Sequence, residues 1–318
     1  MVRRRLTRNE DRWLAPAGSL RGYEPFFKAV VQASPMVDLD VESVPYRDYS
    51  NRQLASVPLA VLAVALLVIA GWYAVTGMPV SPGIEFTGGT ELQLQTDVPR
   101  SELPDRFDSE VISVRPITTA ENTYILTFQS TDADSLESQA AGLGTVESVQ
   151  STSPSFGRTT QQLTVLGVGA AFLGMSLLVF LLFRTFIPSI AVVVSAFSDI
   201  VIPVALMNVF GIKLSLGTVA ALLMLIGYSV DSDILLNNHV LRRSGGFYES
   251  AYRAMETGVT MTLTSISAMV VMTIVASLFG ISLLTAIGTV LVFGLVADLM
   301  NTYLLNYSLL RWYRGIDG

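Results

Sequence analysis

The chain has 318 residues, of which 51% are hydrophobic and only 14% charged, a balance that a soluble domain rarely strikes. It contains no cysteine and one histidine, His239, which excludes disulfides, thiolate nucleophiles and thiolate metal sites and leaves no imidazole cluster for a metal. The net charge of −6 is uneven: residues 77–160 hold twelve acidic side chains against Arg100, Arg106, Arg115 and Arg158. Only Lys28 and Lys213 are lysines among 20 basic residues, and acidic surfaces so poor in lysine suit a proteome adapted to high salt.

In chain order, residues 1–53 read as a cytosolic segment. Its first 35 residues carry seven basic side chains and three acidic ones, and Met36 offers an alternative start, so the extension reads as a solvated tail without assigned function. A hydrocarbon core of about 30 Å needs roughly 20 apolar residues. Runs of that length fall at about 54–76, 161–183, 188–210, 214–237, 260–279 and 282–307, which predicts six spans, with a tail over 308–318. The first is no cleaved signal peptide, because a long charged segment precedes it and no small-residue cleavage site follows. Arg184, Arg242, Arg243, Arg253, Arg311 and Arg314 all fall in segments on the N-terminal side of the membrane. The positive-inside rule therefore puts both termini in the cytoplasm and residues 77–160 outside.

Between the first two spans the periodicity changes. Thr90–Thr96 alternates apolar and polar at period two and predicts a strand, and the proline-punctuated stretch Val98–Glu110 a short helix. Val111–Thr118 and Tyr124–Gln129 form a hairpin around Ala120–Thr123; Asp132–Leu143 has a cap and helical spacing; Gly144–Ser153 returns to period two. The expectation is a βαββαβ, ferredoxin-like domain on an otherwise α-helical membrane protein.

Four acids lie at membrane depth: Asp199 in the third span, Asp231 and Asp233 in the fourth, Asp298 in the sixth. A charged Asp at a helix centre costs roughly 2.5–3.5 kcal/mol on insertion scales, so such residues face protein or water. At about 100° per residue, Asp231 and Asp233 point about 200° apart. Asp233 shares a face with Ser229 and Asn237, and Asp231 with Asn238, so the fourth span is polar on two sides and belongs inside a bundle. Interhelical hydrogen bonding is one role for these acids; a proton or ion relay is the other. Protons are the first choice, since they need no dedicated cage, and sodium the alternative, with Ser229, Ser232, Asn237 and Asn238 as neutral ligands. Pro203, four residues after Asp199, favours a kink. No Gly-Lys dipeptide occurs, so there is no P-loop for ATP. Gly227-Tyr228-Ser229-Val230-Asp231 approaches a hydrolase elbow but ends in Asp inside an apolar helix, so no enzyme, catalytic residue, cofactor or metal is expected.

Two motifs carry a resemblance. Gly83-Ile84-Glu85-Phe86-Thr87-Gly88-Gly89-Thr90, just after the first span, is similar to the GIDFTGGT signature of the SecF family, the auxiliary subunit of the protein-secretion translocon. Gly227-Tyr228-Ser229 with the following acids is similar to that family's GYSVND motif, and Ser198-Asp199 resembles its His-Asp pattern with Ser in place of His. The likeness covers nearly the whole chain from about residue 50. It implies the resistance-nodulation-division architecture, SecD as partner, the Sec channel and unfolded preproteins as contacts, and coupling to the proton gradient. Ser232 stands where bacterial relatives carry the acid of the second motif, and Thr260–Ser265 lacks the family's arginine, a pattern closer to archaeal forms. An exporter of small molecules or lipids on the same architecture, or a structural assembly factor, are the other readings.

Overall fold

The structure, a computed structural model, describes residues 46–117, 122–242 and 246–316. The N-terminal extension, its Met36 and the centre of the expected hairpin turn at Ala120 and Glu121 lie outside the described residues. Among these, six helices are long and apolar enough to cross a membrane.

The first, α1 (Asn51–Thr76), starts at Ser50, whose hydroxyl accepts from the Gln53 N–H while the Gln53 side chain accepts from the Ser50 N–H. That reciprocal cap satisfies two donors no helical carbonyl can reach. Gly77, at φ 75°, ends the helix in the left-handed conformation. Residues 78–83 then tie the chain to a loop far along the sequence: Gly83 N donates to Leu214 O and Leu214 N to Ser81 O, both at 2.7 Å. Asn208 Nδ2 adds a bond to Pro79 O at 2.8 Å.

The signature Gly83–Thr90 forms one helical turn, α2 (Ile84–Thr87), and swings directly into β1 (Gly89–Gln95). The swing needs Gly88 at φ 79° and Gly89 at φ 132°, conformations closed to most side chains. It also needs their lack of bulk, since a Cβ on Gly88 would sit 2.8 Å from the Pro154 nitrogen, and one on Gly157 would sit 2.6 Å from Phe86 O. The glycines thus clamp the turn onto the start of the second spanning helix.

β2 (Val111–Pro116), β3 (Thr123–Phe128) and β4 (Thr145–Thr152) complete an antiparallel sheet of order β2-β3-β1-β4. Leu92 pairs with Leu126 and with Val149, so the period-two pattern directs Leu92, Leu94, Leu126 and Phe128 to one face. There they pack on Leu136 and Ala140 of α3 (Ala133–Ala141), which Asp132 caps at Ser135 N. The helix expected over Val98–Glu110 is only a 3₁₀ turn, Leu103–Arg106. Pro99 and Pro104 supply no N–H to an α-helical ladder, and Leu103 and Phe107 still fill the core from this shorter element.

α4 (Pro154–Phe183), α5 (Phe186–Phe210), α6 (Leu216–Arg242), α7 (Phe247–Leu278) and α8 (Ser282–Met300) form the bundle with α1. α4 begins at Pro154 rather than 161, and α7 at Phe247 rather than 260, because both prepend polar turns that an apolar run does not reveal. α5 passes through Pro203 as one helix. α5, α6 and α8 are the buried members, while α4 and α7 are exposed along most of their length. The last span does not stop at 307: a π-helical turn, Asn301–Asn306, follows α8 and leads into α9 (Tyr307–Tyr313). Arg311, in the tail expected over 308–318, is buried there, its Nη1 donating to Tyr46 O at 2.7 Å and Tyr49 O at 2.8 Å, with the Tyr46 ring centroid 4.3 Å from that of Tyr307.

Candidate functional site: three buried carboxyls

Asp199, Asp233 and Asp298 come together from α5, α6 and α8, each at most 2% exposed. Asp199 accepts from Ser229 Oγ at 2.6 Å and from Asn301 Nδ2 at 2.5 Å. Asp298 accepts from Ser232 Oγ at 2.7 Å and Thr302 Oγ1 at 3.2 Å. Asp233 accepts from Thr302 Oγ1 at 3.0 Å and Asn306 Nδ2 at 2.8 Å. Thr302 has a single hydroxyl proton for two carboxyls, and Ser232 Oγ lies 3.3 Å from it, so Asp233 and Asp298 share one hydrogen-bonded system; Asp199 adjoins it through Ser229, whose backbone carbonyl accepts from Ser232 Oγ at 2.9 Å.

The π-helical turn makes this possible. Asn301 and Asn306 are five residues apart, and in an α-helix they would project about 140° from one another. The wider π turn brings them to the same side, where Asn301, Thr302 and Asn306 together reach all three acids. Such turns occur often at functional sites. Asn301 and Thr302 follow Asp298 by one helical turn in the sequence; for Asn306 the only sequence signal is the Asn-Thr-x-x-x-Asn spacing in an apolar span.

The site is electrostatically bare. Among the described residues no Lys, Arg or His forms an ion pair with any of the three acids. Several buried polar atoms on these helices have no hydrogen-bond partner: Asn301 Oδ1, Asn306 Oδ1, Ser198 Oγ and both terminal atoms of Asn237. Buried polar groups left so are costly. An apolar cluster bounds the site on each side along the helices. One contains Met207, Ala221, Leu222, Leu225, Leu291 and Leu295. The other holds Tyr46, Leu236, Val240, Tyr303, Tyr307 and Leu310.

Asp231 does not join them. It is exposed on the outer face of α6, as are Tyr228 and Asn238 on the same helix, and a Cβ on Gly227 would meet nothing within 4 Å. The fourth span is therefore polar on two sides, with one side enclosed and one open. The signature residues Gly83–Thr90 lie at the seam between sheet and bundle, away from the acids.

A cleft of about 450 Å³ opens at that seam, between the sheet's polar face and the loops before α6 and α8. Glu85, Glu91, Arg115 and Lys213 line it, with Thr285 and Thr289 of α8 at its floor. Burial pushes the Glu91 carboxyl up from its ordinary range, partly offset by Arg115 at 3.9 Å. Burial, and then Arg115, push the Lys213 ammonium down.

The profile described as "Protein export membrane protein SecD/SecF, C-terminal" matches residues 134–315, and "SecD/SecF GG Motif" matches residues 73–99. The chain is 68% identical over 282 residues to the protein-export membrane protein SecF of Haloferax volcanii, covering 88% of this chain and 98% of that one. It is 66% identical over 286 residues to SecF of Haloquadratum walsbyi, with the same coverage. These halophile relatives agree with the lysine-poor acidic composition. The fold resembles the crystal structure of SecDF, a translocon-associated membrane protein from Thermus thermophilus, with a TM-score of 0.64 at 19% identity, covering 83% of this chain and 38% of that one.

Proposed function

Because this chain belongs to the SecF family of protein-export membrane proteins, we propose that it is an auxiliary subunit of the Sec machinery that works with SecD to promote preprotein translocation, driven by a transmembrane cation gradient. The observation that carries the coupling is the enclosed network of Asp199, Asp233 and Asp298. Three carboxyls without a counter-charge are expensive to keep at membrane depth, and intramembrane acids of this kind belong to ion pathways. Ion sites of this sort sit near the midplane of transporters built from repeats. The proton is the first choice of ion.

Partnership with SecD draws support from the open side of α6. Asp231 sits within a spanning helix with its carboxyl outside the bundle, and a neighbouring subunit would give it a donor or an aqueous surrounding. The SecDF chain of similar fold is long enough to hold this fold in 38% of its length, leaving room for a second half. The arginine distribution supports cytosolic termini in the cell membrane with the α+β domain outside, where it would meet SecD or unfolded preprotein by its strand edges and the segment Ile84–Thr90.

Affinity purification of the tagged chain from its own membranes, with an export assay on a depletion strain, tests this. A SecD homologue should copurify and preproteins should accumulate in the cytosol. A stable, active chain without SecD, with export intact, would overturn the reading.

A further inference from the structure

The cleft and the carboxyl network lie at opposite ends of an apolar band that spans, on α8, the nine residues from Thr289 to Asp298, roughly 13 Å. On α8, Thr289 belongs to the cleft floor and Asp298 to the network, and the buried Gly294 comes between. Gly294 is one turn, about 6 Å, from Asp298. On α6, Leu225 is one turn from Ser229, which donates to Asp199. Leu225 is 1% exposed and packs so tightly on Gly294 that a Cβ there would overlap its side chain. Met207, fully buried, closes the same band from α5. Polar groups thus run from the cleft mouth to Thr289, stop at the apolar band of Leu222, Leu225, Val290, Leu291, Leu295 and Met207, whose inner end is Leu225 against Gly294, and resume at Ser229 and Asp298.

We propose that Leu225, seated against Gly294, is the gate between the cleft and the network, and that the cleft is the mouth through which the coupling cation arrives. The cleft carries charges of both signs, Glu85 and Glu91 beside Arg115 and Lys213, so the groups that can attend a cation in it are its two carboxyls and a row of hydroxyls. Glu85 and Glu91 lie at its walls, and Ser282, Thr285 and Thr289 present hydroxyls down one side of α8. In the structure the gate is shut, since apolar side chains in van der Waals contact exclude water and any hydrated ion. Gly294 is the glycine that permits the closure, because α6 and α8 could not meet at Leu225 over a larger residue. Leu225 acts by positioning: it touches no ion and determines only when the network is reachable. The inference rests on the ion-relay reading given above.

The absence of native cysteine makes a direct test available. Single cysteines at Thr289 and at Ser229 are introduced into the full chain in complex with its partner in sealed vesicles, and a membrane-impermeant maleimide is added on the side of the α+β domain. Thr289→Cys should label readily. Ser229→Cys should be protected with Leu225 present and should label roughly tenfold faster or more with Leu225→Ala, the behaviour of a site opened locally. Leu225→Val removes less and should fall between the two, which keeps the test decisive if the alanine variant does not assemble. Labelling of Ser229→Cys at equal rates in all three backgrounds, or acceleration only when reagent is added on the opposite side, overturns the gate. These rates report access alone. A failed gate with gradient dependence still sensitive to Asp→Asn changes removes this inference and leaves the relay standing; an opened gate with no such sensitivity does the reverse.

Discussion

Among the described residues, the α+β domain encloses four threonines, Thr90, Thr96, Thr123 and Thr127, but no charged group, and its core is Leu92, Leu94, Leu103, Phe107, Leu126, Phe128, Leu136 and Ala140. The bundle encloses Asp199, Asp233, Asp298 and Arg311 with a set of Asn and Ser side chains. The difference follows from the solvent each region meets. In water, burying apolar surface stabilises by about 25 cal/mol per Å², so the domain folds on its leucines. In lipid, apolar contact replaces apolar contact, and close packing and interhelical hydrogen bonds hold helices together. Three uncompensated acids exceed what such adhesion needs, which is why the functional reading attaches to the bundle.

The largest effect should come from emptying the domain core. Leu126→Ala should destabilise the domain by about 2–5 kcal/mol, seen as early proteolysis of the sheet, while the helices still insert. Coincident loss of both regions would mean that they fold as one unit. Gly89→Ala comes next, at about 1–3 kcal/mol, because φ 132° is strained for alanine and its Cβ would meet Phe128 O. With Gly88→Ala added, export should fall although the protein still inserts; normal export would separate the motif from function.

Thr302→Val should cost about 1–3 kcal/mol in the thermal unfolding of the solubilised bundle, since Asp233 and Asp298 share that hydroxyl. An unchanged unfolding temperature would show the network to be indifferent to its donors.

The smallest effect belongs to Glu91→Gln. Burial raises the folded-state carboxyl, so its contribution is present below the unfolded value and is lost as pH rises through the folded one. The parent's domain stability should therefore fall slightly as pH rises through the carboxylate range, and the variant's should not. The lost pairing with Arg115, half exposed, is worth about 0.2–1 kcal/mol at most and works in the opposite sense.

Much of this comparison was legible in the sequence, because apolar length and period-two alternation are local properties. The four intramembrane acids stood out for the same reason, and the face shared by Ser229, Asp233 and Asn237 followed from helical spacing. What could not be read was set by tertiary contact. Asn306 reaches Asp233 through a π turn, of which the Asn-Thr-x-x-x-Asn spacing is the only local trace, and the burial of Arg311 depends on the distant carbonyls of Tyr46 and Tyr49. Pro99 and Pro104 are visible in the sequence, but how far their missing donors shorten the helix, to a 3₁₀ turn at Leu103–Arg106, is settled by the packing of Leu103 and Phe107 in the core.

The most direct measurement is the gradient dependence of preprotein export in vesicles carrying Asp298→Asn or Asp233→Asn, compared with Asp231→Asn. Asparagine keeps shape and hydrogen bonding while removing the titratable charge. At least one of the two buried-site variants should assemble normally with SecD yet no longer respond to an imposed proton or sodium gradient. Export by both that follows the gradient as the parent's does would contradict it.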